Sequence, residues 1–310
     1  MTAGADDLWR PASGCGPGCL PAPGEVPAVG VARRAGRLLA GAGMLLLGTG
    51  LAVLLPVLPE RDGQAAVRAW ARGTLRAFGV RLAVRGRPPR RRALLVANHV
   101  SWLDVLVVLA VAPARLVAKR EVRSWPLVGL LAGAAGTVFV DRSRPRQLPA
   151  VVGRVADALR AGRPVAVFPE GTTWCAGDGA AGCRPRRGFR PAVFQAAVDT
   201  GAPVVPLRIG YRCTASGAAT TAAAFLGEET LVRSVRRVVS VRGLTVHVTV
   251  AAALHPGVDA DRRLLARAAE SAVHLVPVPS RPLAAVPSPR GGVTEAAGSP
   301  AGVRGLDLAA

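Results

Sequence analysis

The residues best suited to chemistry lie in Asn98-His99-Val100-Ser101-Trp102-Leu103-Asp104, directly after the apolar run Ala93–Ala97. A short apolar run of this kind reads as a buried strand, and the apolar stretch that follows Trp102 reads as a helix. His99 then sits where a strand ends, which is where ligands bind in α/β sheets. Asp104 falls in the first turn of the helix, and its carboxylate can reach back to one imidazole nitrogen. Such a contact fixes the tautomer and leaves the other nitrogen able to take a proton. The same spacing fits a second role. Ser101-x-x-Asp104 is also a capping-box pattern, in which Asp104 serves only the helix backbone. Of the three other histidines, His247 lies on an alternating strand, and His255 and His274 have no acidic residue at a telling spacing. All three read as structural or solvated.

A second group, Phe168-Pro169-Glu170-Gly171-Thr172-Thr173, closes another apolar strand, Val165–Phe168. Pro and Gly on either side of one acidic residue dictate a tight turn that presents Glu170 at the strand's C-terminal end. A carboxylate held there can accept hydrogen bonds from a polyol. Pro-Glu-Gly alone is an ordinary turn, and its position downstream of the His/Asp group is what gives it weight.

These groups need elements to carry them. Strands are expected at Arg81–Arg85, Ala93–Ala97, Arg115–Ala118, Thr137–Val140, Val165–Phe168, Val204–Ile209 and Leu244–Ala251. Helices are expected at Trp102–Val111, Pro145–Arg160, Pro191–Asp199, Thr230–Val239 and Asp259–His274. The alternation predicts an α/β domain, a mixed sheet flanked by helices, over residues 80–276. Before it, residues 1–32 are rich in Pro, Gly and Ala and read as disordered, as does the Pro-rich tail 277–310.

Residues 33–79 read as a membrane anchor. No charged residue occurs from Leu38 to Pro59, and Arg33, Arg34 and Arg37 stand before that stretch. About 20 apolar residues suffice for a helix to cross a bilayer. A single span, a hairpin broken near Pro56 and a buried core helix all fit the pattern. Gln64–Phe78 is amphipathic, with Val67, Trp70, Ala71, Leu75 and Phe78 on one face and Arg68, Arg72 and Arg76 along its flank. It suits a helix lying in the lipid interface, and equally a packed helix with a solvated arginine row.

The 310 residues carry 40 basic and 19 acidic side chains, a formal charge of +21, with Lys119 the sole lysine. So large a charge attracts anions such as lipid head groups, an anionic membrane surface or phosphorylated carriers. One Tyr, six Phe and no aromatic-interleaved basic platform point away from nucleic acid. The cysteines, Cys15, Cys19, Cys175, Cys183 and Cys213, are odd in number and form no CxxC pair. Neither a disulfide framework nor a zinc site is expected from those spacings, and a reducing, cytoplasmic-side environment is.

With these blocks in order, the chain resembles the bacterial 1-acyl-sn-glycerol-3-phosphate acyltransferases and their glycerolipid acyltransferase relatives. The family's His-x4-Asp block matches His99 and Asp104. Its Gly-x-x-Phe-x-x-Arg block matches Gly136, Phe139 and Arg142. Its third block matches Phe168 to Thr172, and its Pro-centred strand matches Val204-Val205-Pro206-Leu207. Phe225-Leu226-Gly227-Glu228-Glu229-Thr230-Leu231 is similar to a segment near the end of the family's domain. The resemblance covers roughly residues 80–255.

It implies acyl transfer from acyl-CoA or acyl carrier protein to a lysophospholipid in the cell membrane, at the cytoplasmic face where those donors are. It implies no acyl-enzyme, metal or organic cofactor. His99 would be the general base, oriented by Asp104. Glu170, Gly171 and Thr172 would hold the glycerol backbone, and Arg142 the acceptor's phosphate. One departure stands out: where the family often has Arg after Phe-Pro-Glu-Gly-Thr, this chain has Thr173. Arg184, Arg186, Arg187 and Arg190 are possible replacements on a basic loop, and a phosphate-free acceptor such as a lyso-ornithine lipid is the alternative. A non-enzymatic, arginine-rich membrane or nucleic-acid binder is the reading from another class. A nucleophilic role for Cys175 would need a base that no nearby residue supplies.

Overall fold

The centre of the protein is a seven-stranded mixed sheet in the order β1-β7-β6-β2-β5-β3-β4. Its strands are β1 (Val80–Arg85), β2 (Leu94–Ala97), β3 (Arg115–Lys119), β4 (Val138–Val140), β5 (Val165–Val167), β6 (Val204–Cys213) and β7 (Leu244–Val250). The computed structural model describes residues 11, 13–89, 91–175, 183, 188–214, 217–257 and 259–275, all within one compact unit. The expected tail at 277–310 and the first ten residues lie outside them.

Five strands, β6, β2, β5, β3 and β4, run parallel, while β7 and β1 run the opposite way. Parallel strands are covered on both faces, so their sequences read as unbroken apolar runs. Every residue of β2 and β5 is buried. Leu95 and Ala97 point into one core with Leu207 and Ile209, and Leu94 and Val96 point into the other with Val165 and Phe194.

The helices are α1 (Val31–Leu54), α2 (Glu60–Ala77), α3 (Leu103–Val111), α4 (Val128–Ala134), α5 (Leu148–Arg160), α6 (Phe194–Thr200), α7 (Leu231–Ser240) and α8 (Arg262–Leu275). Side chains of α5, α6 and α8 fill the second core, and those of α2 and α3 the first. Almost every residue of α3 is buried, which is why its sequence is apolar all round rather than striped. The short α4 and the 3-10 turn Arg120–Ser124 were not expected; both are too short to build a periodic pattern.

The apolar segment and the amphipathic one form an antiparallel hairpin. Pro56 sits in a 3-10 turn, Leu55–Val57, where the chain reverses. Glycines let the helices touch: a Cβ on Gly48 would meet Trp70 Nε1 at 2.6 Å, and one on Gly41 would meet Phe78 at 2.7 Å. Trp70 Nε1 donates to the Met44 carbonyl at 2.8 Å. The interfacial reading of α2 is therefore corrected. Its apolar face is spent on the protein, with Ala71 and Leu75 fully buried and Arg72 donating to the Ala110 carbonyl.

α1 carries much of the exposed apolar surface, with Leu39, Leu46, Leu47 and Val53 exposed. The stretch Val31–Val57 is long and apolar enough to cross a membrane.

The expectation of disorder before residue 33 also needs correction. Over residues 13–30 the chain is fixed by tertiary contacts that no local pattern announces. Val29 N–H donates to the Ser240 carbonyl at 2.8 Å, Arg242 N–H donates to the Pro27 carbonyl at 2.7 Å, and Cys15 and Val29 are buried.

Gly48→Leu should lower the unfolding free energy in detergent by about 1–3 kcal/mol, because overpacking forces Trp70 off the Met44 carbonyl. Gly43→Leu, whose Cβ meets nothing within 4 Å, should not lower it. Thermal or denaturant unfolding of both variants checks this.

Candidate active site

β2 is the fourth of the seven strands, and β5 lies beside it in parallel with Val96 level with Val167. Three residues further along each chain stand His99 and Glu170. The sheet thus sets the two motifs side by side, at its C-terminal edge. Asn98 holds the exit of β2: its amide donates to the Ile209 carbonyl at 2.9 Å and accepts the Ile209 N–H at 2.7 Å, continuing the β2–β6 pairing by a side chain.

His99 Nδ1 lies 2.9 Å from Asp104 Oδ2. The same oxygen accepts the N–H groups of Val100 at 2.6 Å and Ser101 at 2.8 Å, and Oδ1 accepts the Tyr211 hydroxyl at 2.6 Å. Both readings of the Ser101-x-x-Asp104 spacing are therefore realised by one carboxylate, which serves the backbone at the helix start and the imidazole together. A carboxylate so surrounded by donors is an acceptor, so Nδ1 carries the proton and Nε2 is left unprotonated in the neutral ring. Asp104 is fully buried, whereas the His99 side chain keeps 20% of its surface exposed. The imidazole stacks on Phe168 with ring centroids 4.0 Å apart.

The turn Phe168–Gly171 closes with Gly171 N–H donating to the Phe168 carbonyl at 3.0 Å, and Gly171 takes φ +77°, which favours glycine. Glu170 is presented inward. Its Oε2 accepts the His99 N–H at 2.7 Å, and its Oε1 stands 3.7 Å from His274 Nε2 on α8. Burial pushes the Glu170 carboxyl up to about 8; the charges of Asp104 and Glu270 add to the rise, and the His99 N–H opposes it. At neutral pH this group largely keeps its proton.

Thr172 follows on the same partly exposed loop. Thr173 donates its hydroxyl to the Phe225 carbonyl, Trp174 N–H donates to the His99 carbonyl at 2.8 Å, and Phe225 N–H donates to the Val100 carbonyl at 2.9 Å. Three loops are thereby stitched around His99. The third, residues 222–229, is held by Arg237, which donates to the Ala222 carbonyl at 2.9 Å and to Glu229 Oε2 at 2.9 Å.

Arg142 sits just beyond β4. The β3–β4 register pairs Lys119 with Val140, so the lone lysine ends beside it. Desolvation and the Arg142 charge hold Lys119 below its ordinary value, with Glu121 opposing. Arg142 is lowered likewise by burial and by Arg190. Arg190 reaches the Phe168–Gly171 turn itself: its N–H donates to the Pro169 carbonyl at 3.1 Å, and its Nε lies 3.4 Å from where a Cβ on Gly171 would stand. Lys119, Arg142 and Arg190 make a cationic margin to the site. Arg184, Arg186 and Arg187 lie outside the described residues. Two arginine-lined crevices of about 650 and 550 Å³ lie elsewhere, and neither includes His99.

Tyr211, Lys119 and His274 were missed in the sequence. The expected strand stopped at Ile209, two residues short of Tyr211, although the inward alternation Leu207, Ile209, Tyr211 continues. His274 had been set aside for want of a nearby acidic residue, and its neighbour Glu170 is supplied by another part of the chain. The cysteines had been judged unsuited to a metal. In the fold the Sγ atoms of Cys15, Cys19, Cys175 and Cys183 all lie within 4.8 Å of one another.

Fold and site define an α/β protein with a carboxylate-oriented histidine at the end of a central strand. Comparison with known proteins identifies the family. Residues 81–210 match the family model described as Acyltransferase. The chain is 35% identical over 250 residues to a lyso-ornithine lipid O-acyltransferase of Pseudomonas aeruginosa, covering 78% of this chain and 91% of that protein. It is 33% identical over 222 residues to a 1-acyl-sn-glycerol-3-phosphate acyltransferase of Neisseria meningitidis, covering 70% and 82%. The crystal structure of a 1-acyl-sn-glycerophosphate acyltransferase from Thermotoga maritima shares the fold, with a TM-score of 0.58 at 19% identity over 78% of this chain and 92% of that one. The chain belongs to this acyltransferase family, the one to which its four blocks pointed.

The raised Glu170 carboxyl has a consequence for stability. The folded protein retains a proton that the unfolded chain releases between about 4.5 and about 8. Its contribution is fully present below that window and is lost as pH rises through it. The unfolding free energy of the wild type should therefore fall relative to Glu170→Gln as pH rises across the window, as followed by denaturant titration at several pH values.

Proposed function

We propose that the protein transfers a fatty acyl group from acyl-CoA or acyl carrier protein to the sn-2 hydroxyl of 1-acylglycerol-3-phosphate, forming phosphatidic acid. The observation that carries this reading is the 2.9 Å contact between His99 Nδ1 and Asp104 Oδ2. With Nδ1–H committed to Asp104, Nε2 can take the proton of the acceptor hydroxyl as its oxygen attacks the thioester carbonyl. The C–O bond forms, the C–S bond breaks, and the proton held on Nε2 passes to the departing thiolate. The buried Asp104 charge stabilises the transient imidazolium. The proposed step uses no metal or organic cofactor.

The cationic margin favours a phosphate-bearing acceptor. Guanidinium groups meet phosphate oxygens in pairs, and Lys119, Arg142 and Arg190 together balance a doubly charged phosphate better than a zwitterionic head group. Arg190 would stand in for the arginine missing at Thr173, whose hydroxyl is occupied by the Phe225 carbonyl. The second reading, a lyso-ornithine lipid acceptor, is favoured by that same missing arginine and by the similarity to the Pseudomonas enzyme. The exposed apolar side of α1 would lie in the bilayer, with arginines toward anionic head groups. The site then opens to the cytoplasm, where the thioesters are.

Thioester release by detergent-solubilised enzyme, with lysophosphatidic acid and lyso-ornithine lipid offered separately, discriminates the two. Release should depend on lysophosphatidic acid and fall about 10² to 10⁴-fold in His99→Ala. Release only with lyso-ornithine lipid would move the substrate and keep the mechanism. Arg142→Ala should raise KM for lysophosphatidic acid at least tenfold while changing kcat less, because it removes binding to a part of the acceptor that does not react. An unchanged KM would remove Arg142 from the head-group site.

A further inference from the structure

Four of the five cysteines converge from two separate stretches of chain. Cys15 and Cys19 flank the turn Gly16-Pro17-Gly18, with a 3-10 helix at Pro17–Cys19. Cys175 stands five residues after Glu170, and Cys183 lies further along the same connection toward Arg190. All four are free thiols. Their Sγ atoms lie within 4.8 Å of one another, and the Cys19–Cys183 pair is 3.6 Å apart.

A tetrahedral zinc tetrathiolate with Zn–S bonds of about 2.3 Å has sulfur–sulfur edges of about 3.8 Å. A disulfide would need about 2.05 Å. The 3.6 Å Cys19–Cys183 separation is close to such an edge and far longer than a disulfide bond, and the remaining sulfurs lie within 4.8 Å. The donor set fits as well: soft thiolates alone select zinc or a similar thiophilic ion, with no histidine or carboxylate needed. The Cys175 N–H donates to Cys15 Sγ at 3.4 Å, the kind of outer hydrogen bond that supports a metal-bound thiolate. Cys15 and Cys175 are buried while Cys19 and Cys183 are partly exposed, which leaves an entry path for the ion. Cys15-x3-Cys19 falls within the usual ligand spacing of zinc sites, and the remaining two ligands come from 160 residues away, so local spacing concealed the set.

We propose that Cys15, Cys19, Cys175 and Cys183 bind one structural zinc ion as four thiolates, and that this ion fastens the segment 11–20 onto the loop bearing Glu170. The contacts of that segment agree. Pro11 Cγ lies 2.8 Å from where a Cβ on Gly171 would stand, and Cys15 shares the first core with Trp174, Cys175 and Leu226. The clip joins one end of the loop, while the Glu170–His99 hydrogen bond secures the other. It also explains why a stretch rich in Pro and Gly, with no apolar periodicity, takes up one structure. The clip stabilises chiefly by closing a very long loop and a short one at once.

The full-length protein, purified in detergent without chelator, should contain about one zinc ion per chain by elemental mass spectrometry. Cys19→Ser and Cys183→Ser, at the partly exposed positions, should each lose most of it, and Cys213→Ser should retain it. Wild-type protein exchanged with Co²⁺ should show the strong visible bands and near-ultraviolet thiolate charge transfer of a tetrahedral S₄ site. Stripping the ion should expose the segment 11–20 to limited proteolysis. That spectrum is read on unmutated protein, so a variant that fails to fold does not decide the matter. Protein that holds no zinc, takes up neither Zn²⁺ nor Co²⁺ and leaves all four thiols open to alkylation would overturn the proposal. Isolation under reducing conditions with a Cys19–Cys183 disulfide would overturn it too, and would make the cluster a redox pair.

Discussion

Everything at the site depends on one buried negative charge. Asp104 has no exposed surface and collects four donors: the His99 ring, two backbone N–H groups and the sole tyrosine. A carboxylate taken out of water without such partners would neutralise or destabilise the fold. Its partners come from the loop leaving β2 and from β6, so satisfying the charge ties the first turn of α3, which carries Asp104, to both strands. Asn98, pairing with Ile209 two residues before Tyr211, fixes the β2–β6 register from the other side. The geometry that positions His99 is thus the geometry that holds the centre of the sheet together.

The second carboxylate is handled in the opposite way. Glu170 is nearly as buried but accepts the His99 N–H and faces the charges of Asp104 and Glu270. It resolves the conflict by keeping its proton. The two acidic groups sit in different surroundings: four donors meet Asp104, while low-dielectric packing around Glu170 favours its protonated form. The site stays close to one negative charge beside the imidazole, with the cations Lys119, Arg142 and Arg190 kept at its margin.

Much of this was legible in the sequence where the signal is local. His99 and Asp104 lie five residues apart, so a strand-to-helix turn suffices to join them. The Pro-Glu-Gly turn announced Glu170, and the seven expected runs became seven strands, the central β2 and β5 as unbroken apolar runs because strands buried on both faces carry no polar alternation. What was not legible depends on partners distant in the chain. Tyr211 matters only because β6 lies beside β2. Lys119 matters because β3 and β4 pair, and His274 because α8 returns toward the Phe168–Gly171 turn. The helix α2 carries the pattern of an interfacial helix, but that pattern is equally that of a helix covered by α1 on one side and α3 on another. Glycines at 41 and 48 were the sign of that close approach, and composition alone gave no partner for them. The N-terminal cysteines failed to signal for the same reason, since their counterparts are 160 residues away.

The central claim is that Asp104 fixes the tautomer of His99, with the proton on Nδ1 and Nε2 bare. Nitrogen-15 NMR of histidine-labelled protein in detergent at neutral pH tests it directly, with His99→Ala assigning the ring. A protonated Nδ1 and an unprotonated Nε2, shifting toward equal populations in Asp104→Asn, is the expected result. A His99 ring protonated on Nε2 in the wild type would contradict it, because that nitrogen could not then serve as the base.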